Sequence, residues 1–163
     1  GISIAAVKSS LAVFMRSLTT PNCRFDRYLR GEASAITEAE KRGYELFKER
    51  GCVRCHQGIN VGGNIFSKFG VLGDYFKDRG NITKADLGRF NVTGKEEDRY
   101  VFKVPGLRNV SLTAPYFHDG SVATLEEAVA VMARYQLGSD IPKEEVAQIV
   151  GFLKTLTPEE SVK

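Results

Sequence analysis

Gly51-Cys52-Val53-Arg54-Cys55-His56 carries the strongest signal in the chain. Two cysteines separated by two residues, with a histidine directly after the second, have the spacing of c-type haem attachment. Two thiols add across the two vinyl groups of one haem, and the adjacent imidazole turns onto the iron. A zinc site would need two further ligands, and only Cys23 and His118 remain to be recruited. A thioredoxin-like dithiol expects a strand-helix-strand setting, which the flanking pattern lacks. The motif occurs once and the chain has two histidines, His56 and His118, so one covalent haem c is expected and a second is excluded.

Immediately upstream, Thr37 with Glu40 makes a capping box for a helix that runs through Tyr44, Leu46 and Phe47 and stops at Gly51, so the cysteines sit at a helix exit. Further upstream, Ile4, Val7, Leu11, Phe14, Met15 and Leu18 follow three-and-four spacing. They predict an amphipathic helix over 3–19, ended by Thr20-Pro21, whose apolar face needs a partner. Downstream, residues 57–123 hold ten of the sixteen glycines and keep no helical or strand period for long. So long an irregular segment needs something other than regular elements to organise it. Its apolar and aromatic side chains, from Ile59, Val61 and Phe69 through Tyr75 and Phe76 to Phe102 and Phe117, suit a flat macrocycle. Beyond it, Thr124 with Glu127 opens a helix through Leu125, Ala128, Val129, Met132 and Tyr135 to Gly138. Pro142 opens a last one, striped by Val146, Ile149, Val150, Leu153 and Leu156 and closed by Pro158. The fold class expected is all-α: a cytochrome c-like helical domain with long loops wrapped around one covalent haem.

The remaining features set bounds. A chain of 163 residues, 42% of them hydrophobic, suits one globular domain, or one with a fragment of a neighbour. No apolar run approaches the ~18 residues of a membrane span, and no secretory signal pattern opens the chain, so the Gly1 start is expected to reflect a mature or excised segment. A net charge of +3, without basic runs interleaved with aromatics, argues against nucleic acid. The charge is uneven: residues 1–56 carry ten Lys/Arg against six Asp/Glu, and residues 119–163 carry four against eight. That is either an ordinary solvated surface or a dipole that steers a charged redox partner. Cys23 is left over, as a buried small residue or as half of an intermolecular disulfide.

For the second axial position, Met132, Met15 and His118 are the candidates. Met132 leads, because it lies on a helix that could close over the far face, and a thioether stabilises ferrous iron and raises the potential. It also falls on that helix's apolar stripe, so plain core is its rival reading; Met15 reads as core. His118 is expected to hydrogen-bond Asp119 or a haem propionate. Arg108 is either a bidentate partner of a propionate or a solvated arginine.

The chain resembles a known family, the C-terminal haem domain of bacterial di-haem cytochrome c peroxidases. The likeness is carried by Thr20-Pro21-Asn22 with 24–29, by 51–56, by Gly88-Arg89-Phe90 with Val92-Thr93, by 102–105 and 107–110, and by Leu112 to Gly120 continuing into 124–129. The resemblance implies a high-potential six-coordinate haem with Met132 as its methionine ligand. It also implies a periplasmic location, a small electron-donor protein, and an inter-domain calcium to which Thr113 and Pro115 contribute backbone carbonyls. Residues 1–20 would be the helix leading in from an N-terminal haem domain missing here, and 21–163 the monohaem domain. In the family that second haem reduces peroxide, and its motif is absent. Cys23 stands where the family pattern has a small polar residue. The expected function is therefore electron transfer, as the electron-accepting half of such a peroxidase or as a free monohaem protein. The alternative is a haem peroxidase in its own right, with His118 or Asp119 helping as acid or base. A redox sensor comes third, and a homodimer is left open.

Overall fold

The computed structural model describes residues 2–158 and is mainly helical, with one two-stranded sheet. Helix α1 spans Ile4–Ser17, α2 Arg24–Leu29 and α3 Glu38–Glu49. Strand β1 (Phe66–Lys68), α4 (Tyr75–Arg79), α5 (Phe90–Thr93) and strand β2 (Val101–Lys103) punctuate the glycine-rich middle. Helices α6 (Leu125–Leu137) and α7 (Lys143–Lys154) follow. Among the described residues, no helix is long and apolar enough to cross a membrane.

The core forms where α3 packs on α7, and α6 also packs on α7. Leu46 and Phe47 from α3 meet Val146, Ile149, Val150, Phe152 and Leu153 from α7, and Phe25 of α2 joins them. The Phe152 ring lies 5.0 Å from Phe25, 5.1 Å from Tyr44 and 5.2 Å from Phe47. Such close approach depends on Gly43, since a Cβ there would stand 1.9 Å from the Gln148 carbonyl oxygen. Both expected capping boxes are present: Thr37 and Thr124 accept from the N–H groups of Glu40 and Glu127, whose carboxylates accept in return from the cap N–H groups. The Glu40 carboxylate is also gripped by Arg24 through two bonds of 2.8 and 2.5 Å. Arg50 closes the other end of the α3–α7 contact on Glu145, at 2.8 and 2.7 Å.

One expectation changes here and one alternative closes. None of the residues of α1 is buried, and Met15 is 69% exposed, so Met15 is not a core residue. The helical period is real, but the cluster of buried side chains begins only at Cys23. Cys23 itself is fully buried at the N-cap of α2, where the Asp26 carboxylate accepts from both its N–H and its thiol. Its position explains why a small polar residue suits this place, and burial removes it from intermolecular disulfide formation in the folded chain.

The middle segment is organised by short elements and single bonds. The strands β1 and β2 pair antiparallel, Phe66 with Lys103 and Lys68 with Val101. Beyond them Val104 N–H donates to the Ile65 carbonyl at 2.9 Å and Gly63 N–H to the Val104 carbonyl at 3.0 Å, carrying the ladder back toward His56. A second aromatic cluster sits beside the sheet: Phe69, Tyr75, Phe76, Tyr100, Phe102 and Phe117 contact one another edge-on, tilted or stacked.

Candidate haem-attachment site

Helix α3 ends at Glu49, and two residues on Gly51, with a φ of 90°, turns the chain into a 3-10 turn over Cys52–Arg54. Within it Cys55 N–H and His56 N–H both donate to the Cys52 carbonyl, at 3.2 and 3.0 Å. One turn thus carries both thiols, and the imidazole follows at once. Both cysteines are free. Burial pushes the Cys52 thiol up to about 11, so it is neutral near pH 7, opposite to the lowered thiol of a reactive redox pair.

The His56 ring is half-buried, 6.4 Å from the Phe47 ring. Burial lowers its basicity, against the opposing pull of the main chain at Val61 and Pro105. Its Nδ1 is buried without a hydrogen bond of good geometry. The backbone nearest to it is shaped for close approach: Gly62 has a φ of 130°, and a Cβ there would lie 2.1 Å from the Pro105 carbonyl oxygen and 3.1 Å from His56 Nδ1. Val61, a β-branched residue, is held at a φ of 50°, a strained conformation that the surrounding loop enforces. An imidazole with Nδ1 facing backbone carbonyls presents Nε2 as its ligating nitrogen, which is how metal-bound histidines are oriented. The residues therefore fit a haem c: two free thiols on one turn and a half-buried imidazole beside them.

The rival zinc reading finds no ligand set. Cys23 is in the core, and the one grouping of three metal-competent side chains among the described residues is Asp86, His118 and Asp119, which includes neither motif cysteine. That grouping is an ion-paired knot. Fully buried Asp86 binds His118 Nε2 at 2.7 Å, Arg79 at 2.7 Å and the N–H of Thr83 at 2.6 Å. Arg79 also donates to Asp119. Burial alone would raise the Asp86 carboxyl, but its donors outweigh it and hold it well below the usual carboxylate range. His118 thus pairs with Asp86, where Asp119 or a propionate was expected. Asp86 carries no sequence signal, since it sits in a short turn and only the tertiary fold brings His118 to it.

Met132 is half-buried on α6 and is not among the side chains packed on the hydrophobic core, whereas Val129, one turn before it, is. Arg108 is engaged within the protein: it donates to both Asp26 oxygens, at 2.7 and 3.0 Å, and its Nε donates to the Ile59 carbonyl at 2.7 Å. Thr113 and Pro115 are exposed on one loop, joined through a cis Ala114–Pro115 bond.

No family model matches the chain. Individual proteins do. It is 49% identical to the cytochrome c peroxidase Ccp of Escherichia coli (strain K12) over 96% of its own length and 33% of that protein. It is 48% identical to the cytochrome c551 peroxidase of Nitrosomonas europaea over 96% of its length and 45% of the relative. A solved MauG-like protein associated with microbial copper homeostasis shares the fold with a TM-score of 0.77 and 33% identity, over 98% of this chain and 58% of that one. The chain thus spans less than half the length of these two curated relatives. Over that shared length, it is a homologue of the bacterial di-haem cytochrome c peroxidases.

Proposed function

We propose that this chain is an electron-transfer domain carrying one haem c, bonded through Cys52 and Cys55 with His56 and Met132 as axial ligands, and that it forms the electron-accepting half of a periplasmic di-haem peroxidase. The observation that carries the reading is the 3-10 turn that sets both thiols beside an imidazole whose Nδ1 faces main-chain carbonyls. Bound haem supplies a one-electron ferric/ferrous couple.

The chain's own residues supply the rest. Gly51 and the Cys52 carbonyl fix the turn that presents the thiols. Gly62 leaves room for the Pro105 backbone to come close to His56 on its Nδ1 side, so that Nε2 is the nitrogen left to ligate. Met132 is available because it is half-buried and free of the core, and a thioether there favours the reduced state. Two fixed ligands leave little to rearrange on electron transfer. Arg108, clamped by Asp26, braces the loop at Ile59 just after the motif. Thr113 and Pro115 offer exposed carbonyls to a calcium ion shared with a neighbouring domain. Peroxide reduction is assigned to the longer protein, on a second haem outside this chain, with electrons arriving from a small donor protein.

Spectra of the oxidised and reduced haem-loaded chain test this. The expected result is a low-spin haem whose methionine-to-ferric-iron band disappears in Met132→Ala and persists in Met15→Ala and His118→Ala. A high-spin resting spectrum with peroxide turnover by the chain alone overturns the reading in favour of a self-sufficient peroxidase.

A further inference from the structure

The C-terminal turn of α6 is fastened to the segment after β1 at several points, all within six residues of Met132. Gln136 donates from Nε2 to the Lys68 carbonyl at 3.0 Å, and its Oε1 accepts from the Val71 N–H at 3.1 Å. Leu72 N–H donates to the Tyr135 carbonyl at 2.9 Å, and Tyr135 donates from its hydroxyl to Asp78 at 3.1 Å. The fit is close: a Cβ on Gly73 would stand 3.0 Å from the Tyr135 ring, and one on Gly138 would stand 3.2 Å from Leu72. Val71 and Leu72 are largely exposed, so their burial adds little to the contact, and beside the polar clamp the Tyr135 ring stands edge-on to buried Tyr75 at 5.2 Å.

Two consequences of placement follow. Residues four apart on a helix share a face, so Gln136 lies one turn beyond Met132 on the same side of α6. Lys68, which Gln136 holds, is the last residue of β1, and the ladder from β1 and β2 continues through Val104 and Gly63 to the Pro105–Gly62 backbone beside His56. One small sheet therefore backs His56 at one end and receives the Gln136 clamp at the other.

We propose that Gln136 is a positioning residue for Met132: its two-point clamp on Lys68 and Val71 indexes α6 to the sheet that also supports His56. The proposal rests on the reading of Met132 as an axial ligand. Without the clamp, α6 is free to shift against the sheet, and the thioether is more readily displaced from the iron.

The test uses the haem-loaded chain. Imidazole is titrated into the ferric protein, where it must displace the methionine, and the reduction potential is measured alongside. Gln136→Ala is expected to bind imidazole roughly five- to tenfold more tightly, the factor that loss of about one net hydrogen bond supplies, and to have a lower potential. Gln136→Glu keeps the acceptor for Val71 and loses the donor to Lys68, so it should move both readouts the same way by less; it also serves if the alanine variant does not fold. Arg50→Ala, which removes the exposed bridge from α3 to Glu145 on α7, should lower stability without moving either readout. Unchanged imidazole affinity and potential in both Gln136 variants, with the methionine band lost in Met132→Ala, overturns this proposal alone. A band that survives Met132→Ala overturns the ligand reading and the proposal with it.

Discussion

His56 is named by its motif, but what orients it is a glycine six residues later. Gly62→Ala would drive a Cβ to 2.1 Å from the Pro105 carbonyl oxygen at a φ of 130°, so the loop must move away from His56. The expected cost is about 2 kcal/mol or more, together with reduced haem incorporation. Chemical denaturation and a covalent-haem assay check the two effects, and an alanine variant with wild-type stability and haem content would contradict the role given to Gly62. Asp86 is a second case. Its folded-state pKa lies below the unfolded value of about 3.9, so its contribution is present in full above about pH 4 and is lost as the pH falls toward the folded value. Asp86→Asn leaves Arg79 and His118 without their buried anion and should cost about 3 kcal/mol at neutral pH, while flattening the acid limb of stability against pH. Urea titrations over a pH series measure both. The turn that carries the cysteine pair and His56 was legible because the motif is a local pattern that follows a helix exit. Asp86 was not, because its bonds to Arg79 and His118 need separate segments to meet, and only Thr83 is local to it. For Met132, the apolar stripe suggested core, and only the packing separates it from Val129.

At the scale of elements, legibility followed length. Helices α3, α6 and α7 exceed three turns and carry caps or a proline start, so periodicity and capping agree on them. Helix α2 has six residues, too few to show a period, and its cap is a cysteine, which reads as a thiol before it reads as a cap. The strands are three residues each and pair across more than thirty positions, beyond the reach of local pattern. The α3–α7 contact offers the sharpest test at this level. Gly43→Ala places a methyl group 1.9 Å from the Gln148 carbonyl oxygen and 3.1 Å from Phe152 Cβ, with backbone on the far side that cannot rotate away. A loss of about 3 kcal/mol is expected although alanine is the better helix former. A stabilised Gly43→Ala, seen as a raised denaturation midpoint, would mean that the two helices are less closely packed than described.

Across the whole molecule, the irregular middle segment was accessible from composition, because glycines and aromatics concentrate between 57 and 123. The partner of α1 was not. Its apolar residues Ile4, Val7, Leu11 and Phe14 are all exposed, whereas the ties into the domain begin at Thr20, whose carbonyl accepts from Arg108 and whose hydroxyl accepts from Asn109. Removing residues 1–17 therefore takes no buried side chain out of the described structure and leaves the Thr20 anchor in place. Stability should change by less than about 0.5 kcal/mol, the range of surface changes that touch no packed feature. Self-association should fall, because the deletion removes an apolar helix face from the surface. Thermal unfolding and sedimentation of the shortened chain measure these directly. A loss of about 2 kcal/mol or more would show that α1 packs against this domain in solution, whereas unchanged stability agrees with an apolar face that packs on nothing among the described residues.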